Sequence, residues 1–287
     1  MSLIREATYA GRFYPADAAG CDALAAGWLA DAAAQPAIAG LAPHAGWLFS
    51  GATAALSIAA IAAFKPDTVV VFGAVHVVDR NRASLYPAGR WRTPYGDLPV
   101  DEELARAVSK IGDVTVDPAA HRNEHSIEVE LPIIRQVMEG VAILPIMVRP
   151  GPWASDVGRE VARAAMDMER RVAFLASTDL THYGPSFGFE PHGRGPDGIQ
   201  WAKDVNDRRF IDIVAQLDAG AIVPEADEHR NACGSGAVAA TIAAVIESGP
   251  VEYCELGHTT SSDIELSTGQ GERLDSVGYH AGVFIQT

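Results

Sequence analysis

Cysteine is scarce in this 287-residue chain: Cys21, Cys233 and Cys254 are widely spaced and odd in number. That pattern argues against a disulfide framework and fits a reducing compartment, where a cysteine that matters acts as a thiol or thiolate. Basic residues are also short, with 22 Lys and Arg against 37 Asp and Glu. The resulting formal net charge of -15 opposes binding to a phosphate backbone or an anionic membrane surface, so neither nucleic acid nor membrane is an expected partner. No run approaches the roughly eighteen uninterrupted apolar residues of a membrane span. The opening MSLIREATYAGRFYP lacks a basic-then-apolar signal pattern, and a cytoplasmic protein is expected. Internal repeats, low-complexity linkers and charge blocks are missing as well. With no boundary marked and 48% hydrophobic residues, residues 1–287 read as one domain, large enough to bury about three quarters of its unfolded surface.

What the chain does contain is a hydrophobic strand that ends on titratable groups, three times over. Residues 171–184, RVAFLASTDLTHYG, run from a buried strand into Asp179, His182 and Tyr183; IAGLAPHAG ends on His44, and TVVVFGAVH on His76. In sheets flanked by helices, loops at the carboxyl ends of strands form the crevice where ligands bind. Pro43 and Gly46 fix a tight turn around His44, the locked backbone that a metal-binding or catalytic imidazole requires, although a buried histidine bonded to backbone would use the same turn.

Around these strands the pattern alternates with helices. Asp22 to Ala34 has amphipathic spacing, and Asp101 caps DEELARAVSKIG with Glu103 in its first turn. VAILPIMVRPG reads as a buried strand, and ASDVGREVARAAMDMERR and IQWAKDVNDRRFIDIVAQLD as helices; the tail from Glu265 reads as strands. Arg12 and Tyr14 are assigned to packing. Residues 81–100 form a long excursion with hairpin character, and GPSFGFEPHGRGPDG a loop over a pocket mouth with His192 exposed. In HRNEHSIEVELPII, a helix from Ser126 would put His125 and Glu128 on one face. The H-E-x-x-H order of zinc proteases is absent there, which leaves an exposed charged helix start or a supporting role for His125 and Glu128. Finally, Asn231 reads as an N-cap that places Cys233 in the first turn of a helix, where free N–H groups stabilise a thiolate. A small buried residue for close helix packing is the alternative.

The ordered set AGRFYP, PHAGWLFSG, GAVH, EHSIEVELP, STDLTHYG, ACGSG and VGYHAGVF resembles the Memo family, whose bacterial and archaeal members are also described as AmmeMemoRadiSam system protein B. The resemblance implies a three-layer α/β/α sandwich around a mixed, largely parallel sheet, similar to class III extradiol dioxygenases. It also implies a pocket lined by His44, His76, Asp179, His182 and Cys233, with iron or copper as the ion. Ala74, Trp47 and Ser235 to Val238 depart from the family's usual residues.

Ring-cleaving iron sites use two histidines and a carboxylate, whereas Cys233 stands in the carboxylate's place here; a thiolate suits copper(I), zinc or a redox role. Two expectations follow. The first is a metal-dependent, dioxygenase-like oxidoreductase acting on an unknown small molecule, with His44, His76 and Cys233 on the metal and His182, Asp179 and His125 moving protons or orienting neighbours. The second is a non-catalytic module whose pocket captures a peptide or small anion, with a protein partner.

Overall fold

The computed structural model describes residues 3–28, 35–268 and 274–287. In chain order the strands are β1 (Ile4–Arg5), β2 (Ala39–Ala42), β3 (Thr68–Gly73), β4 (Ala83–Leu85), β5 (Arg90–Trp91), β6 (Leu98–Pro99), β7 (Val114–Val116), β8 (Ala142–Val148), β9 (Val172–Ser177), β10 (His182–Tyr183), β11 (Val251–Thr260) and β12 (Ser276–Gln286). The helices are α1 (Ala18–Ala25), α2 (Trp47–Phe64), α3 (Glu102–Val108), α4 (Leu131–Val137), α5 (Ala154–Met166), α6 (Pro196–Trp201), α7 (Arg208–Ala215), α8 (Ala219–His229), α9 (Ser235–Ser248) and α10 (Ser261–Thr268).

Nine strands form one mixed sheet in the order β10-β12-β2-β9-β3-β8-β4-β7, with β11 paired on β12. The central strands β2, β9, β3 and β8 are parallel, and antiparallel pairs flank them at β12 and β4. Both faces of the centre are covered, which is why its strands read as nearly continuous apolar runs. Side chains alternate between faces: Val70, Phe72, Leu144, Ile146 and Phe174 enter the core shared with α3, α5, α7, α8 and α9. Val69, Val71, Ile143, Met147 and Leu175 enter the core shared with α1, α2 and α4. The result is the expected α/β/α sandwich. Gly158 permits one of its closest contacts, since a Cβ there would lie 1.9 Å from the carbonyl oxygen of Ala240 on α9.

Several boundaries differ from the sequence expectations. The first helix is α1, started by Asp17, whose carboxylate accepts the Gly20 N–H; residues 29–34 of the expected helix lie outside the described residues. Residues 126–130 are turns, and the helix begins only at Leu131. Glu124, Glu128 and Glu130 are buried there, not exposed, because the segment threads between the sheet end and the N-terminal residues. Among the described residues the tail is strand from Ser276, and α10 precedes it. Thr260 and Asp263 start that helix reciprocally, the Thr260 hydroxyl accepting the Asp263 N–H and the Asp263 carboxylate the Thr260 N–H. The helix α2 is long and apolar enough to cross a membrane by length and composition, but it packs in the core, with 56% of its residues buried. Residues 90–99 form the expected hairpin as β5 and β6.

Candidate metal centre

Neighbouring strands β2, β9 and β3 end side by side, and each delivers part of one cluster. His44 follows β2, Ser177 and Asp179 end β9, and His76 follows β3. His125 joins from the turn before α4, and Cys233 from the loop before α9. The ligand atoms of His44, His76 and His125 all lie within 4.8 Å of one another. An ion with metal–nitrogen distances near 2.1 Å holds its ligands roughly 3.4 Å apart, so small side-chain movements close the set.

Hydrogen bonds fix which nitrogens face inward. The Ser177 hydroxyl donates to the Ser126 carbonyl at 2.7 Å, so at its 2.8 Å contact with His44 it accepts the Nδ1 proton. That leaves His44 Nε2 directed at Cys233 Sγ, 3.3 Å away. His76 Nδ1 donates to Glu124 Oε1 at 2.7 Å, and His125 Nδ1 lies 3.6 Å from the same oxygen. The buried carboxylate thus orients the His76 imidazole, as carboxylates behind metal-binding histidines do, and its charge lies close to His125. Its second oxygen accepts the Ser126 N–H and hydroxyl at 2.9 and 2.5 Å. The His76 and His125 rings stack at 4.6 Å, and Phe13 and Tyr9 pack against His125.

Electrostatics bind the thiol to the imidazoles. Burial opposes charge on His44, but the Cys233 thiolate and the Asp179 carboxylate outweigh it and hold its pKa up at about 9. Burial likewise opposes charge on His76, and its hydrogen bonds to Cys233 and Glu124 raise it to about 10. Burial pushes the Cys233 thiol up, yet the charge and hydrogen bond of His44 bring it down to about 6. His125 is the exception: burial, then the charge of His44, lower it to about 4 and keep it neutral. For Glu124, burial raises and the bond to His76 lowers, leaving it ionised with a pKa of about 2. Burial pushes the Glu130 carboxyl well above its ordinary pKa. In metal-free protein, alkylation of Cys233 is therefore expected to keep a thiolate rate down to about pH 6. A profile that falls off at the pH of an ordinary thiol, about 8.5, in mass-spectrometric mapping would contradict the ion pair.

Asp179 acts on backbone. Its Oδ1 accepts the His44 N–H at 2.8 Å, its N–H lies 3.3 Å from Cys233 Sγ, and its carbonyl accepts the Cys233 N–H at 3.2 Å. His182, in contrast, donates Nδ1–H to the Leu180 carbonyl and packs on Phe187. Among the described residues, no hydrogen bond or ring contact joins His182 to the three other imidazoles or to Cys233. His192 is exposed, its ring stacked on Trp201.

Two local expectations are corrected. Asn231 does not cap α9, because its buried amide donates to the Asn206 carbonyl and Glu225. Cys233 precedes that helix, whose N-cap is Gly234, so the thiolate owes its stability to imidazoles and not to a helix end. Gly234 itself is required by close approach, since a Cβ would fall 2.3 Å from the Ser177 carbonyl oxygen. Glu128 faces away from His125, paired with Arg5 at 2.6 Å and bonded to Tyr14. Sequence reasoning gave no role to Glu124 or Ser177. The signals were an acid directly before His125 and a hydroxyl at the very end of the central strand.

The sequence profile described as "Memo-like protein" matches residues 5–283. The chain belongs to the Memo family. A MEMO1 family protein of Thermococcus onnurineus is 33% identical to it, covering 98% of this chain and 99% of that one. Another, from Methanothermobacter thermautotrophicus, is 34% identical, covering 96% and 99%. Among solved structures, an uncharacterized protein from Escherichia coli K12 shares the fold, with a TM-score of 0.53 and 14% identity over 85% of this chain and 98% of that one.

The donor chemistry of this Memo-family chain fits a metal ion. Imidazole nitrogens suit zinc, copper, iron and nickel, and an adjacent thiolate favours the softer of these. A carboxylate ligand of the kind found in ring-cleaving sites is less available, because both oxygens of Glu124 already accept hydrogen bonds.

Proposed function

We propose that this protein is a non-haem, metal-dependent oxidoreductase that holds one iron or copper ion and acts on a small molecule. His44, His76 and His125 would carry the ion, with Cys233 as a further donor. The convergence of three imidazoles from three separate loops within 4.8 Å, with His76 oriented by a buried glutamate and His44 by Ser177, carries the reading. A redox-active ion held there supplies Lewis-acid and single-electron chemistry. The chain's own residues supply the rest. Ser177 and Glu124 fix the tautomers of His44 and His76, and Asp179 fixes the backbone of His44 and Cys233.

The competing reading is a pocket that captures an anion. The charges on His44 and His76 would serve it, but the Cys233 thiolate and the Glu124 carboxylate already face those rings. That internal pairing favours an ion that displaces protons over an incoming anion. Protein purified without a histidine tag and with oxygen excluded is expected to carry close to one iron or copper per chain by element analysis. Protein that stays metal-free after loading with either ion, yet retains phosphate, would support the binding module instead.

A further inference from the structure

The segment joining α6 to α7, Ala202–Asp207, is a π-helical turn, a wide turn frequent at functional sites. It ends in two consecutive polar residues, Asn206 and Asp207, each with 1% exposure. Both reach the same residue across the sheet end. Asp207 Oδ1 accepts the Thr181 N–H at 3.0 Å, and Asn206 Nδ2 donates to Thr181 Oγ1 at 3.0 Å. Asn206 also donates to the His229 carbonyl, and its own carbonyl accepts from Asn231 Nδ2, both at 3.0 Å. One turn thereby grips two loops: the loop with Asp179, two residues before Thr181, and the loop with Cys233, two residues after Asn231.

A third arm defines what Asp207 must be. Its Oδ2 accepts from His258 Nε2 at 2.9 Å, while His258 Nδ1 accepts from Arg208 at 3.1 Å, and Arg208 is paired with Glu255. Since Nδ1 is occupied as an acceptor, the His258 proton sits on Nε2. Asp207 therefore receives two N–H donors, one on each oxygen, which a carboxylate can do and an amide cannot. Room for it is made by Gly278, where a Cβ would lie 2.1 Å from Asp207 Oδ2.

We propose that Asn206 and Asp207 form a positioning clamp that holds the Asp179 loop and the Cys233 loop at metal-binding distance from each other. The purpose assigned to the clamp rests on the metal reading above; its existence does not. In Asp207→Asn the new amide oxygen can still take the Thr181 N–H, but the amide N–H then meets the His258 Nε2–H. His258→Gln added to Asp207→Asn offers an oxygen in place of that proton and restores the contact. His258→Gln alone still donates to Asp207 and serves as the control.

Two quantities decide the matter: amide hydrogen exchange of peptides spanning 178–183 and 229–236 in metal-free protein, and cobalt(II) affinity by competition. For Asp207→Asn, exchange in both segments is expected to quicken about tenfold with β3 unchanged, and cobalt affinity to fall about ten- to a hundredfold, the usual range for residues behind metal ligands. The double variant should recover most of both, and the control should match the parent. Unchanged exchange at 229–236 together with unchanged affinity would overturn the clamp, as would a double variant no better than the single. Should Asp207→Asn fail to fold, Thr181→Val removes the Asn206 arm alone, and a parental affinity and exchange in that variant would count equally against the proposal. A parent protein that takes up no cobalt, iron or copper would end the metal reading, while exchange at 229–236 still decides whether the clamp exists.

Discussion

Replacing His44 with alanine is expected to abolish stable metal binding, lowering affinity by well over the hundredfold that marks the upper range for residues behind ligands. His44 is the hub of the cluster, held at its backbone by Asp179, at Nδ1 by Ser177, and directed through Nε2 at Cys233. The same change leaves the thiol without its principal countercharge, so the Cys233 pKa should climb from about 6 toward or past the ordinary thiol range. The pH dependence of stability follows in sign. The raised pKa of His44 contributes stability that is complete below its unfolded value of 6.5 and is lost as pH rises through about 9. The lowered pKa of Cys233 contributes stability present above its unfolded value of 9.0 and lost as pH falls through about 6. Each shift needs the other group's charge, so the ion pair supports the metal-free fold between about pH 6 and pH 9, where both are charged, and His44→Ala should flatten that window in denaturation midpoints. Cys233→Ser separates the ligand sets: metal retained by that variant assigns the ion to the three imidazoles, and metal lost makes the sulfur obligatory. An alanine variant at position 44 that still loads one ion per chain would remove the proposed centre.

The largest expected loss of stability comes from Glu128→Ala. Arg5 and Glu128 form an almost fully buried pair at 2.6 Å, and Glu128 Oε1 also accepts the Tyr9 N–H and the Tyr14 hydroxyl, each at 2.7 Å. Breaking such a pair from one side strands the other charge and costs about 3–5 kcal/mol. Arg5 also donates to the carbonyls of His121 and Glu124 at 2.9 Å and lies over the Trp91 ring. Its release would loosen the backbone of the glutamate that orients His76. Urea denaturation should show the stability loss directly, and a cost below about 1 kcal/mol, the worth of an exposed pair, would refute the burial account.

Much of the scaffold was readable from periodicity, because the central strands are buried on both faces and end in Gly, Pro or polar residues. Strand-end reasoning points to His44, His76 and Asp179, which the structure brings together because the parallel centre of the sheet sets neighbouring carboxyl ends side by side. His182 obeys the same local pattern but rotates toward Leu180 and Phe187, a choice made by the loop's packing. The place of His125 beside His44 and His76 is not legible locally, because its neighbours suggest an exposed helix start. Glu124 and Glu128 are bonded to Arg5 and Tyr14 more than a hundred residues earlier, which no local window contains. Cys233 was found, but the cause of its acidity was misplaced, because an imidazole 189 residues away cannot be seen in a helix-start pattern.

That separation also sets an order of events during synthesis. A nascent chain carrying only the first two strand-end histidines lacks the thiol and most of the sheet that aligns them, so it offers a passing cation no enclosed seat. The contact between His44 and Cys233 can therefore form only once the chain has been made as far as Cys233 before α9, 189 residues later.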